Sequence, residues 1–283
     1  MLYILYNPMA HQGNNDLNIV LKGETVDKPE IKKIDITALN VAEFVKELTE
    51  KDRLLIRGGD GTLHYFANQA RGVEFPCRVF MIRSGTGNDF LNDIGQMNSA
   101  DLIDIRDMLR DLPTVTFNDK ELCFINGVGL GIDGAVCREV EAFKAKHPDK
   151  KANYTAIAAK ELGFKYNRPS ARITVDGVTR VYDKIWAVST MKGRYYGGGM
   201  MIAPGQDRND GKLSVIIMHG GSRIKALSVF AQIKQGGHVK YEKMVEVLRG
   251  YDVKVEFDAV SDLQIDGEVY LDVKRYSVKC KNK

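Results

Sequence analysis

Leu54-Leu55-Ile56-Arg57-Gly58-Gly59-Asp60-Gly61-Thr62-Leu63 is the stretch whose reading decides the fold. Residues 53–57 form a short apolar run of strand length, and Leu63, Phe66, Ala67 and Ala70 then recur at helical spacing. Glycines between a strand and a helix let backbone amides approach an anion closely, and the helix start adds unpaired N–H groups. Asp60 is out of place beside a phosphate unless a cation intervenes, so it points to Mg²⁺ held through carboxylate or water. Neither the closing Lys-Ser/Thr of a Walker loop nor a Gly-x-Gly-x-x-Gly order is present. A plain Asp-Gly turn is the competing reading of the same residues.

Outward from this stretch, residues 2–6, 31–36 and 77–82 read as further strands, 38–50 as a helix and 99–109 as another stopped by Pro113. A second glycine turn, Arg83-Ser84-Gly85-Thr86-Gly87-Asn88-Asp89-Phe90, follows the fourth strand. Thr86 and Asn88 donate to a phosphate or cap a helix, and Asp89 is a second carboxylate for a metal network. Strand and helix alternate as in a parallel α/β sheet, whose functional loops lie beyond the carboxyl ends of its strands.

The texture then changes. Residues 121–126, 170–175, 183–189, 213–218, 251–257 and 270–279 are strand-like, and Asp176-Gly177 fits a hairpin turn. Helices are fewer, at about 135–146, 154–164 and 223–234. The expected organisation is an α/β domain over 1–118 and a mainly antiparallel, β-sandwich domain over 119–283.

The chain has 283 residues, 41 Lys+Arg against 37 Asp+Glu, and a formal charge of +4. That mild excess, with no recognition motif, argues against nucleic acid as a partner. Residues 138–168 hold eight Lys/Arg against four Asp/Glu, a bias that suits an anionic lipid surface or a solvated helix face. Cys77, Cys123, Cys137 and Cys280 have no metal-ligand spacing, as expected of thiols in a reducing compartment. No apolar run approaches the roughly 20 residues of a membrane span. Cytoplasmic residence, with peripheral contact at the inner membrane surface, is the expectation.

Five motifs in order, Gly-Gly-Asp-Gly-Thr at 58–62, Gly-Thr-x-Asn-Asp-Phe at 85–90, Tyr196-Gly197-Gly198-Gly199-Met200 with Pro204, Asp210-Gly211-x-Leu213 and Asp266-Gly267-Glu268, resemble the diacylglycerol kinase catalytic-domain family, and its bacterial lipid kinases in particular. NAD kinases and sphingosine kinases are more distant relatives. The resemblance covers essentially residues 1–280. It implies an ATP-binding α/β domain like that of NAD kinase and diacylglycerol kinase, a β-rich second domain, a cleft between them, and phosphoryl transfer from ATP to a lipid hydroxyl.

The resemblance also implies roles. Asn7, Pro8, Met9, Ala10 and His11 match the first nucleotide loop, and Thr37 a nucleotide contact after the second strand. Gly59, Asp60, Gly61, Thr62, Leu63, His64 and Tyr65 match the phosphate loop, with Thr86 as its partner. Asp266 matches the general base, with Glu268 beside it and Asp60 and Asp89 in the catalytic acidic set. Asp207, Asp210 and the Lys212 carbonyl match a second, structural Mg²⁺ site. Asp133 stands as a substrate-side contact or a structural residue, and His238 as a packed one. Read from spacing alone, Asp266 and Glu268 share a face in a continuing strand or are both exposed in a hairpin.

This chain departs from the family at Ala10-His11, where Ser-Gly is usual, and at His64-Tyr65, where Asn-Glu is usual. The expected cofactors are ATP and Mg²⁺ and the expected partner a lipid alcohol; a homodimer is left open. A same-fold kinase of a soluble alcohol and a non-catalytic nucleotide-binding regulator are the alternatives.

Overall fold

Four short strands build the first sheet: β1 (Leu2–Tyr6), β2 (Ile31–Asp35), β3 (Arg53–Gly58) and β4 (Arg78–Arg83), in the order β2-β1-β3-β4 and all parallel. The computed structural model describes residues 1–8, 30–84, 88–97, 102–147, 150 and 152–280. Leu54, Leu55 and Ile56 are wholly buried, the continuous apolar signature of a parallel strand covered on both faces. Registers align the carboxyl ends: Tyr6 pairs with Asp35 and with Arg57, and Gly58 with Arg83.

Among the described residues, helices α1 (Val41–Glu47), α2 (Asp60–Gln69), α3 (Asp89–Asp93) and α4 (Arg106–Arg110) also lie in this unit, Met1–Leu112. Burial of Leu63 and Phe66 on α2 contributes about 1.5–3 kcal/mol each. Two helices are shorter than their periodicity suggests, and side chains explain both. Asn40 caps α1, displacing its start beyond a 3₁₀ turn at Ile36–Ala38, while Thr49 N donates to Asp52 just past its end (2.8 Å). Residues 102–105 are not helical because polar contacts draw them onto β4. Ile105 N donates to the Val79 carbonyl (2.8 Å), Val79 N to Asp104 Oδ1 (3.2 Å), and Gln96 links the Met81 carbonyl to Ile103 N.

The second unit, Pro113–Lys283, is mainly antiparallel, as its alternating runs suggest. Its strands are β5 (Thr114–Phe117), β6 (Lys120–Cys123), β7 (Gly127–Gly131), β8 (Ala171–Val175), β9 (Val178–Tyr182), β10 (Ile185–Met191), the ribbon β11 (Tyr195–Tyr196) and β12 (Met200–Met201), β13 (Leu213–His219), β14 (Val245–Gly250), β15 (Asp252–Ile265) and β16 (Glu268–Lys279). The main path runs β14-β13-β10-β7-β15-β16-β5-β6, with β8 on β15 and β9 on β8.

β15 makes the sandwich possible. Its first part pairs with β8 and its last part with β7, and the register shifts between Glu256 and Leu263 let one strand serve both layers. One core fills the space between layers, with Val188, Val215 and Ile217 packed among Ile173, Val255, Phe257 and Val278. A second core lies under α5 (Ile132–Lys146), α6 (Tyr154–Lys160) and α7 (Arg223–Phe230), with Trp186 at its centre. Asp176 and Gly177, at φ 48° and 82°, form the expected two-residue hairpin, a turn that needs positive φ at both positions.

Candidate active site

In the first unit the strand ends carry the residues that the family resemblance expects on the nucleotide side. Asn7 and Pro8 follow β1, Thr37 follows β2, residues 59–65 follow β3 and Ser84 follows β4, so one edge of the sheet carries them all. Met9, Ala10, His11 and Thr86 lie outside the described residues. Gly59 is the N-cap of α2 with an extended backbone (φ −107°, ψ −166°), so the amides of its first turn face the strand ends. Packing demands glycine at Gly58, where a Cβ would lie 2.3 Å from Thr62 Cβ.

Asp60 is buried, and its carboxylate accepts from the amides of Asp89 (2.8 Å) and Phe90 (2.9 Å). It thereby ties the first glycine loop to the start of α3, the helix after the second loop. This negative charge also complements the orphan amides at a helix start. Leu63 points into the core and the buried His64 contacts Asn68 one turn on (3.3 Å). Tyr65 is half-buried, and the exposed Thr37 donates its hydroxyl to Asp35 (2.7 Å).

In the second unit the chemistry centres on the turn joining β15 to β16. Ile265 pairs with Glu268, leaving Asp266 and Gly267 as a two-residue hairpin loop at φ 49° and 96°. The turn separates the two carboxylates: Asp266 is buried and Glu268 exposed, so neither reading from spacing describes the pair. Asp266 accepts from three successive amides, Ile125 to Oδ2 (2.7 Å) and Asn126 and Gly127 to Oδ1 (2.8 and 3.0 Å). The other polar groups of that segment are also engaged. The buried Arg208 donates to the Ile125 carbonyl and to Asn126 Oδ1, while Lys192 N and Gly193 N donate to the Asn126 carbonyl (2.8 and 3.0 Å). Arg208 is the residue that motif reading passes over, although it stands inside the Asp207-x-x-Asp210 spacing.

Beside this segment Asp133, in the first turn of α5, accepts from Ser189 Oγ (2.8 Å) and from the Tyr196 hydroxyl. Burial pushes its carboxyl above the ordinary carboxylate range. Gly129 leaves the room, since a Cβ there would stand 2.5 Å from Asp133 Oδ2. Burial, with Asp133 close by, pushes the Cys137 thiol up to about 12. Gly197, Gly198 and Gly199 all hold positive φ in the turn joining β11 to β12.

Trp186 is wholly buried, donates to the Gly220 carbonyl (2.8 Å) and carries the guanidiniums of Arg168 and Arg223 against its ring, which makes it a core residue. His238 is buried with Nε2 3.0 Å from the Ile202 carbonyl, and burial lowers its pKa. Asp207, Asp210 and Lys212 fall together in one loop before β13. Among the described residues no three His, Cys, Asp or Glu side chains converge as a metal site.

A parallel sheet with glycine loops at its strand ends, followed by an antiparallel sandwich with a carboxylate tethered at a hairpin, is the build of a lipid kinase-like protein. Residues 1–112 match the diacylglycerol kinase catalytic domain, and residues 126–278 match the YegS C-terminal NAD kinase beta sandwich-like domain. The chain belongs to the diacylglycerol kinase-like family. It is 26% identical over 225 residues to a diacylglycerol kinase of Mycobacterium tuberculosis, covering 77% of this chain and 70% of that one. It is 25% identical over 256 residues to a protein of Shewanella frigidimarina named a probable lipid kinase, YegS-like, covering 88% and 80%. The fold is shared with a crystal structure described as a diacylglycerol kinase from Bacillus anthracis, with TM-score 0.62, 17% identity, and 99% and 93% of the two chains covered.

Proposed function

We propose that this kinase-family protein transfers the γ-phosphoryl group of ATP, with Mg²⁺, to a hydroxyl of a lipid such as diacylglycerol. The observation that carries the reading is the buried Asp266 carboxylate, held by three backbone amides in a chain whose first unit matches a diacylglycerol kinase catalytic domain. Phosphoryl transfer asks little covalent work of the protein; it needs the phosphates held, their charge offset and an acceptor hydroxyl aligned. In this reading Asp266 takes the proton of the attacking hydroxyl, and its three tethers fix the acceptor oxygen's position in advance. Glu268, exposed two residues on, adds negative charge at the mouth of the hairpin.

On the nucleotide side the amides of residues 59–62 are the proposed phosphate donors, with Asn7 and Thr37 at the neighbouring strand ends. Asp60 serves as the tie between the two glycine loops, because both of its oxygens already accept amides of α3. Mg²⁺ bound to the nucleotide offsets the charge of the β and γ phosphates.

Exposed Lys144 and Lys146 at the end of α5, with Lys150, support transient contact with anionic lipid; Lys151, of the same basic stretch, lies outside the described residues. No described helix is long and apolar enough to cross a membrane.

A transfer assay with radiolabelled ATP and membrane lipid extract tests the proposal. A labelled lipid is expected. Label only on soluble alcohols would assign the same chemistry to a different acceptor, and nucleotide binding with no transfer to any alcohol would assign a regulatory role.

A further inference from the structure

We propose that loop 206–212 of the second unit is closed by the chain's own side chains, the amide of Gln206 and the guanidinium of Arg249, where the family resemblance expects a divalent ion. The three groups expected to ligate that ion are the Asp207 and Asp210 carboxylates and the Lys212 carbonyl, and each has a partner. Gln206 Nε2 donates to the Lys212 carbonyl (2.8 Å) and to the Asp207 carbonyl (2.9 Å), and it reaches that of Lys192 (3.3 Å). Its amide cannot be turned round without loss, because Gln206 Oε1 accepts from the buried Ser214 hydroxyl at 2.6 Å. Asp210 accepts from Lys212 N through Oδ1 (2.9 Å) and is paired with Arg249 through Oδ2. Asp207 Oδ1 accepts from Asn209 N (2.9 Å).

Mg²⁺ demands near-octahedral oxygen ligands at about 2.0–2.1 Å. Here an N–H donor gathers the carbonyl oxygens that a cation would gather, and Arg249 supplies the positive charge beside Asp210. The residues therefore do not fit a resident ion. The arrangement matters because Arg208, in the same loop, holds residues 125 and 126, whose amides tether Asp266. A loop closed by its own side chains keeps that tether at any Mg²⁺ concentration. Mg²⁺ carried by a nucleotide is a separate ion and does not depend on this loop.

The test uses the full chain without nucleotide. Thermal unfolding in EDTA and in millimolar Mg²⁺ is compared for the parent and Asp210→Asn, and Mn²⁺ binding is followed by electron paramagnetic resonance. The expected result is one melting temperature for the parent in both buffers, and the same Mn²⁺ stoichiometry for parent and variant. Gln206→Leu should melt lower and gain nothing from Mg²⁺; if it does not fold, the parent and Asp210→Asn comparison decides alone. A Mg²⁺-dependent rise of about 5 °C or more in the parent, abolished by Asp210→Asn, would overturn the inference. A failed transfer assay with unchanged melts would count against the proposed activity and leave this conclusion standing.

Discussion

Asp266→Asn tests both jobs given to the carboxylate, the observed hold on residues 125–127 and the proposed proton acceptance. The residue sits at φ 49° in an Asp-Gly hairpin turn, and Asn-Gly suits that turn equally well, so the backbone bears no added strain. The side chain does change. Its single remaining oxygen can serve Asn126 and Gly127, but the new NH₂ then faces the Ile125 amide, which donates to Oδ2 at 2.7 Å in the parent. Leaving one buried amide without an acceptor costs about 1–3 kcal/mol. For a domain of this size that lowers the melting temperature by about 2–12 °C. Loss of a general base reduces the rate by about 10²–10⁴. ATP affinity, proposed to reside in the first unit, should stay within about a few-fold, since no proposed charge-assisted contact to phosphate is removed. Single-turnover transfer to vesicle-borne diacylglycerol, calorimetric ATP titration and thermal unfolding are measured on the same preparation. Near-native turnover by folded variant would refute the base assignment. An unchanged melting temperature would refute the claim that the three amides depend on this carboxylate.

Gly58→Ala should lower the melting temperature, because its Cβ would meet Thr62 Cβ at 2.3 Å, whereas Gly59→Val should fold and lose ATP affinity, its backbone being extended; equal effects in unfolding and titration would remove the distinction. Asp60→Ala should destabilise the protein by about 1–3 kcal/mol, since the Asp89 and Phe90 amides lose their acceptor, and denaturant unfolding measures this. Asp133, with Ser189 and Tyr196 on its carboxylate and Cys137 nearby, has a raised folded pKa, so its contribution to stability is fully present below the ordinary 3.8 and is lost as pH rises through the folded value. The stability of Asp133→Asn relative to the parent should therefore grow from acidic to neutral pH in urea titrations; a constant difference would contradict this. Replacing Lys144, Lys146 and Lys150 with Gln should reduce co-sedimentation with anionic vesicles at low salt, and the difference should shrink as salt shortens screening to about 8 Å.

Periodicity made the architecture legible and left polar side-chain choices hidden. Apolar runs announce β1, which meets Asn7-Pro8, and β3 and β4, which meet glycine turns, and Asp176-Gly177 announces its hairpin, because these depend on local pattern. The stretch 102–105 looks helical by spacing, but Asp104 and Gln96 hold it beside β4 through contacts with Val79, Met81 and Ile103. Residues 121–126 read as strand-like, yet β6 is Lys120–Cys123 and pairs with β5 across a tight turn at Asn118 and Asp119, both at positive φ, a hairpin without the glycine that marks the others.

The same division runs through the candidate site. Glycine loops and the Asp-Gly-Glu motif are visible as residue types, yet what each carboxylate does depends on which amides reach it. Asp60 and Asp266 both look like acids for a metal or a proton, and both are acceptors for backbone N–H groups, two at the start of α3 and three at residues 125–127. For Asp60 that engagement argues for a tie between loops. Asp266 has the same tethering, so the base role proposed for it rests on its place in the Asp-Gly-Glu motif and not on the hydrogen bonds. Arg208 escapes notice for the opposite reason: a lone Arg between two Asp residues reads as surface charge, and only the fold shows it turned inward onto Ile125 and Asn126. The physical rule this chain illustrates is that a buried charge must be satisfied, so partners such as Arg208 and the 125–127 amides are as much a part of the site as the acid that motif reading finds first.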